Sequence, residues 1–392
     1  MKFVSLVSMA CFALMLIGCG SSPLTSTTGS KTPCSGIWCN DSMPGLRSKL
    51  DAVKSHSGYA RIAFIGDSTI FGDYASVATS PGVDFCNDIT TDYGYACHWD
   101  TWFGGGNYGS GTYWQADPRL SAGTGWREGG LPTIGVQSLT QTASGGPLTF
   151  APTGTVNTFE VYYLRQPSGG VLNISVDGGT ATAINTAGIA SMQKAVITAS
   201  SVGSHILSHV WSGGGRVDVV GDIAYDSTTP SVIVVLAAAG GATSGQLSTT
   251  TQPYSPGNSA PYSTIGVDAA IVEAGLINDW LNCPSPTTSQ TNIKTLTSAL
   301  IDAGADVALY TPVPSNPSTG VSLDTQTNFV ATMKDVATDS KNTNSSSPLP
   351  VVDNFSQWGE YTNHPSWYAD GAVHPNATGY QINAQAVEAL IM

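Results

Sequence analysis

The segment Arg61-Ile62-Ala63-Phe64-Ile65-Gly66-Asp67-Ser68-Thr69 begins with a compact apolar run that Gly66 ends. Such a run is typical of a buried strand of a parallel sheet that opens onto a loop. Three similar runs follow far downstream, at residues 231–239, 267–274 and 306–310. A helical pattern over residues 290–305 precedes the last run, and another over residues 377–392 ends the sequence. Strands that alternate with helices predict an α/β domain whose parallel sheet is covered on both faces.

The sequence between the first and second apolar runs has a different pattern. From about residue 104 to residue 221, alternating stretches such as 158–164 and 171–176 are separated by Gly-Gly and Asp-Gly turns. This alternation predicts a β-sandwich inserted into the α/β domain. In or beside the region lie four tryptophans, Trp102, Trp114, Trp126 and Trp211. Exposed rings could stack on sugars, although core packing is the commoner fate of such residues.

The N-terminal residues resemble a secretion signal. An apolar stretch over residues 3–17 is too short to span a membrane, and it ends in Leu16-Ile17-Gly18-Cys19, which resembles the bacterial lipobox. The resemblance implies cleavage before Cys19 and a diacylglycerol on its thiol; an ordinary signal peptide with an incidental cysteine is the alternative. The Ser-, Thr- and Gly-rich residues 21–31 predict a flexible tether. Gly20 after the lipidated cysteine implies, by resemblance to the bacterial sorting rule, the outer membrane.

Composition and cysteine content fit an envelope protein. Only 10% of residues are charged, and the formal net charge of -13 argues against nucleic acid or an anionic bilayer surface as the main partner. Apart from Cys11 in the signal and Cys19, the cysteines are Cys34, Cys39, Cys86, Cys97 and Cys283. In an oxidising compartment the sequence-close pairs Cys34/Cys39 and Cys86/Cys97 are the predicted disulfides, although five thiols permit other pairings. Cys283 is then expected to be a buried apolar thiol.

Four segments at or after the predicted strands carry glycines or polar groups. Gly66-Asp67-Ser68 places a hydroxyl at the end of the first strand, although a helix N-cap would use the same residues. Gly240-Gly241 follows the second strand, where glycines let a substrate approach the backbone, and Asn278-Asp279 follows the third. Simple turns are the alternative interpretation of both. Asp370 and His374 lie together in a short loop before the C-terminal helix.

Taken in this order, the four segments resemble the sequence blocks of the SGNH/GDSL hydrolases, a superfamily of serine esterases and lipases. The resemblance covers about residues 58–100 and 229–392 and leaves out the insert. It implies a flavodoxin-like parallel-sheet fold in which Ser68 is the nucleophile, His374 its general base and Asp370 the group that orients the imidazole. It also implies an oxyanion hole made of the backbone N–H groups of Ser68 and Gly241 and the side-chain amide of Asn278.

Two departures from the family pattern bear on these assignments. Asp370 and His374 are four residues apart, whereas the family usually spaces them three apart. Because Pro375 disfavours helical geometry at His374, either a turn at Gly371 brings the pair together or a backbone carbonyl orients His374 and leaves a Ser-His dyad. The family also commonly has glycine two residues before the asparagine, where this sequence has Leu276. That difference puts the local backbone register in doubt, not Asn278 itself.

The other histidines carry weaker signals. His98, His205 and His209 fall in or near the predicted insert and are expected to be structural. His364 lies ten residues before His374, but no ligand spacing supports a metal site with Asp370. The sequence thus predicts no metal, and the proposed chemistry needs no cofactor.

These observations predict the domain organisation and a function. The predicted segments are a signal peptide (1–18), a lipid anchor and tether (19–56), the first part of the hydrolase domain (57–103), a β-rich and potentially carbohydrate-binding insert (104–228) and the second part of the hydrolase domain (229–392). By resemblance to carbohydrate esterases with an inserted β-module, we expect hydrolysis of O-acetyl or other short acyl esters on a cell-envelope or extracellular polysaccharide. A surface lipase or arylesterase is one alternative, and a non-catalytic glycan-binding surface lipoprotein is another.

Overall fold

A computed structural model describes residues 43–104, 117–282, 284–339, 343–344 and 347–392. The predicted signal, Cys19, the tether up to residue 42, the Cys34/Cys39 pair, Trp114 and Cys283 lie outside these residues, so what the sequence predicts for them stays a prediction. Among the helices of the described ranges, none is both long and apolar enough to cross a membrane.

Helices and strands alternate on both sides of a long all-β stretch. The α-helices are α1 (Pro44–Lys54), α2 (Ser68–Phe71), α3 (Pro81–Tyr93), α4 (Ser244–Leu247), α5 (Ser259–Ile265), α6 (Ile277–Asn282), α7 (Pro286–Asp302), α8 (Leu323–Ala337), α9 (Asn354–Trp358) and α10 (Ala377–Ile391). The strands are β1 (Ala60–Gly66), β2 (Cys97–His98), β3 (Thr101–Phe103), β4 (Leu120–Ala122), β5 (Arg127–Thr133), β6 (Val136–Gln141), β7 (Leu148–Phe150), β8 (Val156–Arg165), β9 (Gly170–Val176), β10 (Thr182–Asn185), β11 (Ser191–Gly203), β12 (Leu207–Gly214), β13 (Val217–Tyr225), β14 (Val232–Ala238), β15 (Ala269–Glu273), β16 (Asp306–Tyr310), β17 (Thr343–Asn344), β18 (Ser347–Pro348) and β19 (Val351–Val352).

The hydrolase domain is built on a parallel sheet with the strand order β19-β16-β15-β1-β14-β2. Every residue of β14, β15 and β16 is buried, which explains why these strands have continuous apolar runs instead of alternating patterns. The chain moves from β1 to β14 on one side and then to β15 on the other. This reversal makes the carboxyl end of β1 the topological switch point, where α/β sheets bind their ligands. The flavodoxin-like fold expected from the sequence is confirmed.

Helices cover both faces of this sheet. On one face, α1, α3 and α10 pack on Ile62 and Phe64 of β1. On the other face, α5, α7 and α8 pack on Ala63 and Ile65. Burying a side chain such as Phe64 is worth about 1.5–3 kcal/mol, so alternate residues of one strand stabilise two layers. A disulfide between Cys86 and Cys97, one of the two predicted pairs, links α3 to the edge strand β2.

The insert is a sandwich of two antiparallel sheets. One has the strand order β10-β9-β12-β7-β4, and the other has the order β11-β8-β13-β6-β5, with β3 also paired to β13. Trp102 and Trp126 are buried in its core, while Trp211 packs partly buried against it. Because β3 begins at Thr101, the sheet pairing of the insert starts a few residues before residue 104. Its last strand, β13, ends at Tyr225.

A buried ion pair joins the insert to the hydrolase sheet. Arg61 of β1 donates two hydrogen bonds to the Glu160 carboxylate of β8, at 2.8 and 2.7 Å. Tyr162 and Tyr225 also donate to that carboxylate. Burial alone would raise the pKa of Glu160, but the hydrogen bonds and charge of Arg61 outweigh it and hold the pKa at about 2. This contact fixes the insert near the amino end of β1, opposite to Ser68.

Candidate active site

Ser68 is presented directly after β1. It is the first residue of α2, and the preceding Asp67 is the N-cap, whose side chain accepts a hydrogen bond from the Thr69 N–H at 2.9 Å. The capping function that the tripeptide also suggested therefore belongs to Asp67. The Ser68 hydroxyl is left free for chemistry, and the residue is 7% exposed at the carboxyl edge of the sheet.

The structure brings Ser68, His374 and Asp370 together in one hydrogen-bonded row. His374 Nε2 lies 2.9 Å from Ser68 Oγ, and His374 Nδ1 lies 2.6 Å from Asp370 Oδ2. A carboxylate can only accept, so Nδ1 carries the proton and Nε2 is free to accept the hydroxyl proton of Ser68. The arrangement can activate the serine oxygen for attack on a carbonyl carbon.

A tight turn explains how Asp370 reaches His374 despite the unusual spacing. Gly371 has a φ of +66°, a left-handed conformation that glycine adopts without strain. Asp370 Oδ1 accepts hydrogen bonds from the backbone N–H groups of Ala372, Val373 and His374, at 2.8, 3.0 and 3.1 Å. The turn at Gly371 thus brings the Asp370 carboxylate, rather than a backbone carbonyl, against the imidazole Nδ1. Burial would raise the pKa of Asp370, but the hydrogen bonds from His374 and Ala372 outweigh it and lower that pKa.

Gly241 and Asn278 follow the two strands that neighbour β1 in the sheet. Gly241 follows β14 and has a φ of +75°, and Asn278 lies in α6 directly after β15. The Asn278 side-chain amide donates one hydrogen bond to Asp67 Oδ2 at 2.9 Å. An amide carries two N–H groups, so this contact leaves a second donor.

Leu276 lies in the loop before Asn278, at the position where the family commonly has glycine. The Leu276 side chain is fully buried in the hydrolase core, and its carbonyl accepts the Asp279 N–H at 2.9 Å as α6 begins. Asp279 Oδ1 in turn accepts the Ser244 N–H at 3.0 Å. The loops after β14 and β15 are therefore tied together beside Ser68, and burial raises the pKa of Asp279.

Two residues of this region were not identified from the sequence. Tyr74 stacks on the His374 ring with 4.4 Å between ring centres, although 67% of its surface is exposed. Glu273, the last residue of β15, is fully buried and accepts the backbone N–H of Asp67 at 3.0 Å. A carboxylate inside the apolar run 267–274 was a signal for Glu273, whereas nothing in the sequence pointed to Tyr74.

The remaining histidines make contacts that do not involve Ser68. His364 stacks on Trp367, His205 bonds Asp177, and His98 accepts the Asp226 N–H. His209 is buried inside the insert. Within the part of the chain that the structure describes, no group of three or more His, Cys, Asp or Glu side chains could hold a metal ion.

Comparison with known proteins supports the same fold and chemistry. Residues 197–382 match the model of the GDSL-like lipase/acylhydrolase family. A peptidoglycan O-acetylesterase structure aligns at a TM-score of 0.61 and 14% identity, covering 90% of this chain and 96% of the other. No curated protein matches the sequence.

Two further solved structures align more loosely. The YXIM protein of Bacillus subtilis has a TM-score of 0.30 and 13% identity, covering 67% of this chain and 88% of the other. A family two carbohydrate esterase from Cellvibrio japonicus has a TM-score of 0.29 and 11% identity, covering 74% and 95%.

A switch-point serine paired with a histidine, on a chain that matches an acylhydrolase family, defines the class as carboxylic ester hydrolase. Within that class, the match of residues 197–382 to the GDSL-like lipase/acylhydrolase family and the shared fold support the SGNH/GDSL hydrolase superfamily expected from the sequence.

Proposed function

We propose that this protein is a lipid-anchored serine esterase that removes O-acetyl or other short acyl groups from a cell-envelope or extracellular polysaccharide. The observation that carries the proposal is the row of hydrogen bonds from Asp370 through His374 to Ser68. A binding protein that only retained the fold would have no need of a serine hydroxyl paired with a correctly oriented imidazole.

In the proposed reaction, Ser68 Oγ attacks the acyl carbon while His374 Nε2 takes its proton. The backbone N–H groups of Ser68 and Gly241 and the amide of Asn278 bind the oxyanion, and each such donor is typically worth about 3 kcal/mol of transition-state stabilisation. The ester C–O bond then breaks, and His374 gives its proton to the leaving sugar oxygen, which departs as a hydroxyl while the acyl group stays on Ser68. Water, activated by the same histidine, hydrolyses the acyl-serine and restores the enzyme.

Two observations support a carbohydrate ester as the substrate. The structure with the TM-score of 0.61 is that of a peptidoglycan O-acetylesterase. The exposed Tyr74 ring beside His374 offers a flat apolar face to a sugar at the point of reaction. We place the sugar contact there and not on the insert. Among the insert's described residues, the exposed large apolar side chains are aliphatic: Ile189, Val196, Val202 and Ile206.

The test is acyl release by soluble protein that starts at Ser21, compared with Ser68→Ala. Substrates are p-nitrophenyl esters from acetyl to octanoyl and an O-acetylated polysaccharide. We expect turnover restricted to short chains, acetate release from the polymer, and a loss of about 10⁴-fold or more in Ser68→Ala. Ser121→Ala, an exposed serine of the insert, is the matched control and should keep full activity.

Other outcomes would redirect the proposal. A preference for octanoyl esters without acetate release would favour a surface lipase or arylesterase. Folded protein that shows no Ser68-dependent turnover of any ester would favour the glycan-binding lipoprotein. The lipid anchor is tested separately, by loss of membrane association in a Cys19→Ser variant of the full chain.

A further inference from the structure

Two buried carboxyl groups lie directly beneath the nucleophile. Neither Asp67 nor Glu273 has any exposed surface. Asp67 directly follows β1, and Glu273 is the last residue of the neighbouring strand β15. Asp67 donates its backbone N–H to Glu273 Oε2 at 3.0 Å. Neither carboxyl group forms an ion pair with a lysine or arginine in the described part of the chain. Two buried negative charges would therefore face each other without compensation.

The hydrogen bonds of Thr69 require one additional proton. Thr69 Oγ1 lies 3.0 Å from Asp67 Oδ1 and 2.5 Å from Glu273 Oε1. A threonine hydroxyl has a single proton, and an ionised carboxylate can only accept. If both acids were charged, one of the two contacts would join two acceptors. A proton on Glu273 Oε1 resolves this, because Glu273 then donates to Thr69 and Thr69 donates to Asp67.

The surroundings favour Glu273 over Asp67 as the holder of that proton. Asp67 accepts the Thr69 N–H at one oxygen and the Asn278 amide at the other, so both of its oxygens already serve as acceptors. Burial raises the pKa of Glu273 well above its usual range, and the negative charge of Asp67 raises it further. Glu273 is thus the neutral acid of the pair.

Gly66 provides independent evidence that this site is built around Glu273. A Cβ atom at Gly66 would lie 2.4 Å from Glu273 Oε2 and 2.8 Å from Glu273 Cβ. Any larger residue would push the glutamate away from the Asp67 N–H. The glycine that precedes Asp67 and Ser68 therefore makes the room that Glu273 occupies.

We propose that Glu273, in its protonated form, is a positioning residue that fixes the Asn278 amide through Thr69 and Asp67. The proposal rests on the proposed function, in which Asn278 binds the oxyanion. This hydrogen-bond network runs from Glu273 to the Thr69 hydroxyl, then to the Asp67 carboxylate, and ends at the Asn278 amide. Asp67 also caps the helix that begins with Ser68. The same hydrogen-bond network therefore fixes the position of the nucleophile relative to an oxyanion donor.

The other titratable groups beside this hydrogen-bond network bear on how activity depends on pH. Tyr310 of β16, Tyr380 of α10 and Asp279 of α6 face it. Burial raises the pKa of both tyrosines, so they stay neutral as the pH rises, and burial also raises the pKa of Asp279. When Glu273 loses its proton, it can no longer donate to Thr69. On its alkaline side, activity should therefore fall as the pH passes through the raised pKa of Glu273.

The decisive variants are Glu273→Gln and Glu273→Met. Glutamine carries an N–H donor in place of the acid proton and keeps an oxygen for the Asp67 N–H, whereas methionine keeps only the length. On p-nitrophenyl acetate, we expect Glu273→Gln to stay within about threefold of the parent kcat and to lack its alkaline decline. We expect Glu273→Met to lose about 10- to 100-fold in kcat with KM within about twofold, because a loosened oxyanion donor acts on the transition state.

Thermal unfolding against pH gives a second measurement that needs no substrate. A raised pKa in the folded state means that the folded protein binds more protons than the unfolded chain above the usual glutamate pKa of about 4.3. The parent should therefore lose thermal stability relative to Glu273→Gln as the pH rises above that value. This difference between the two melting temperatures does not depend on any activity.

Two results would overturn the proposal. One is a Glu273→Gln variant as inactive as Glu273→Met, which would mean that the negative charge of Glu273 is needed. The other is a Glu273→Met variant that has a lower melting temperature but keeps the parent kcat per folded molecule. That result would mean that Glu273 contributes only to packing. Failure of the proposed function looks different, since the parent would then show no Ser68-dependent turnover while the melting-temperature difference persisted.

Discussion

A histidine-aspartate pair of the hydrolase domain and a buried histidine-aspartate pair of the insert serve different purposes. In the hydrolase domain, His374 and Asp370 are 2.6 Å apart, and their side chains are 13% and 14% exposed. In the insert, His209 and Asp222 are 3.1 Å apart and completely buried. The second imidazole nitrogen faces the Ser68 hydroxyl in the first pair and a backbone carbonyl, that of Leu148, in the second.

The group that faces the second imidazole nitrogen distinguishes a catalytic histidine-aspartate pair from a structural one. A serine hydroxyl can donate a proton to the imidazole, whereas a carbonyl oxygen can only accept. His209 lies in β12 and Asp222 in β13, so their bond joins the two sheets of the sandwich. Trp102 donates to the other Asp222 oxygen at 2.8 Å, which completes a closed polar cluster. His374 instead lies on a loop at the sheet edge, where an ester can reach it.

Of the substitutions that test this difference between the two pairs, Asp370→Asn is expected to change kcat the most. An asparagine that keeps the turn would present its NH₂ group to Nδ1, which then accepts and leaves the proton on Nε2. In that tautomer His374 cannot take the proton of Ser68, and we expect kcat on p-nitrophenyl acetate to fall about 10³- to 10⁴-fold. The melting temperature should change little, because the turn keeps its three backbone hydrogen bonds. A fall of less than tenfold would show that the enzyme works with a Ser-His dyad.

The matched change in the insert, Asp222→Asn, should have the opposite profile. Asp222 uses both oxygens as acceptors, one for His209 and one for Trp102. Asparagine can keep its oxygen for the Trp102 N–H, but it then presents an NH₂ group to His209 Nε2. A carboxylate hydrogen bond is replaced by a weaker neutral one, at a cost of about 1 kcal/mol in the free energy of unfolding. Denaturant unfolding measures that loss, and kcat per folded molecule should equal that of the parent. A drop in kcat without a loss of stability would mean that the insert acts on the catalytic centre.

The parts that the sequence could predict are those that depend on local pattern. Strands buried on both faces, such as β14 and β16, show as apolar runs, and Ser68, Asp370 and His374 stand in motifs with a known order. The meeting of Asp370 and His374 depends on one positive φ at Gly371, which spacing alone cannot indicate.

Contacts between distant segments could not be predicted in the same way. Glu273 looks like an interruption of an apolar strand, because its partner Asp67 lies 206 residues earlier in the chain. The strand β5, with Pro132 and two glycines, lacks the alternation that identifies a strand from sequence, and it pairs with β6. The lesson is that a buried polar group in an apolar run is best explained by searching the ends of neighbouring strands.

The smallest effect is expected from Tyr74→Ala, which removes the ring that stacks on His374. Tyr74 has a φ of +65°, unusual for a residue with a side chain. The preceding residue, Asp73, is held by its N–H to the Ser68 carbonyl and by the Tyr380 hydroxyl on its own carbonyl, both at 3.0 Å. This loop therefore presents the ring in one place. If a sugar stacks on it, its loss should cost about 1 kcal/mol of binding, a KM for O-acetylated polysaccharide about fivefold higher.

The control for this change is Tyr93→Ala, because Tyr93 is an exposed tyrosine on α3 and should leave both polymer and small-ester kinetics unchanged. The ratio of polymer to p-nitrophenyl acetate kcat/KM is the informative quantity, since any disturbance of His374 itself lowers both activities together. Tyr74→Phe keeps the flat ring and should keep the ratio. An equal loss on both substrates in Tyr74→Ala would assign the ring to shielding the imidazole, and the sugar contact would have to lie elsewhere.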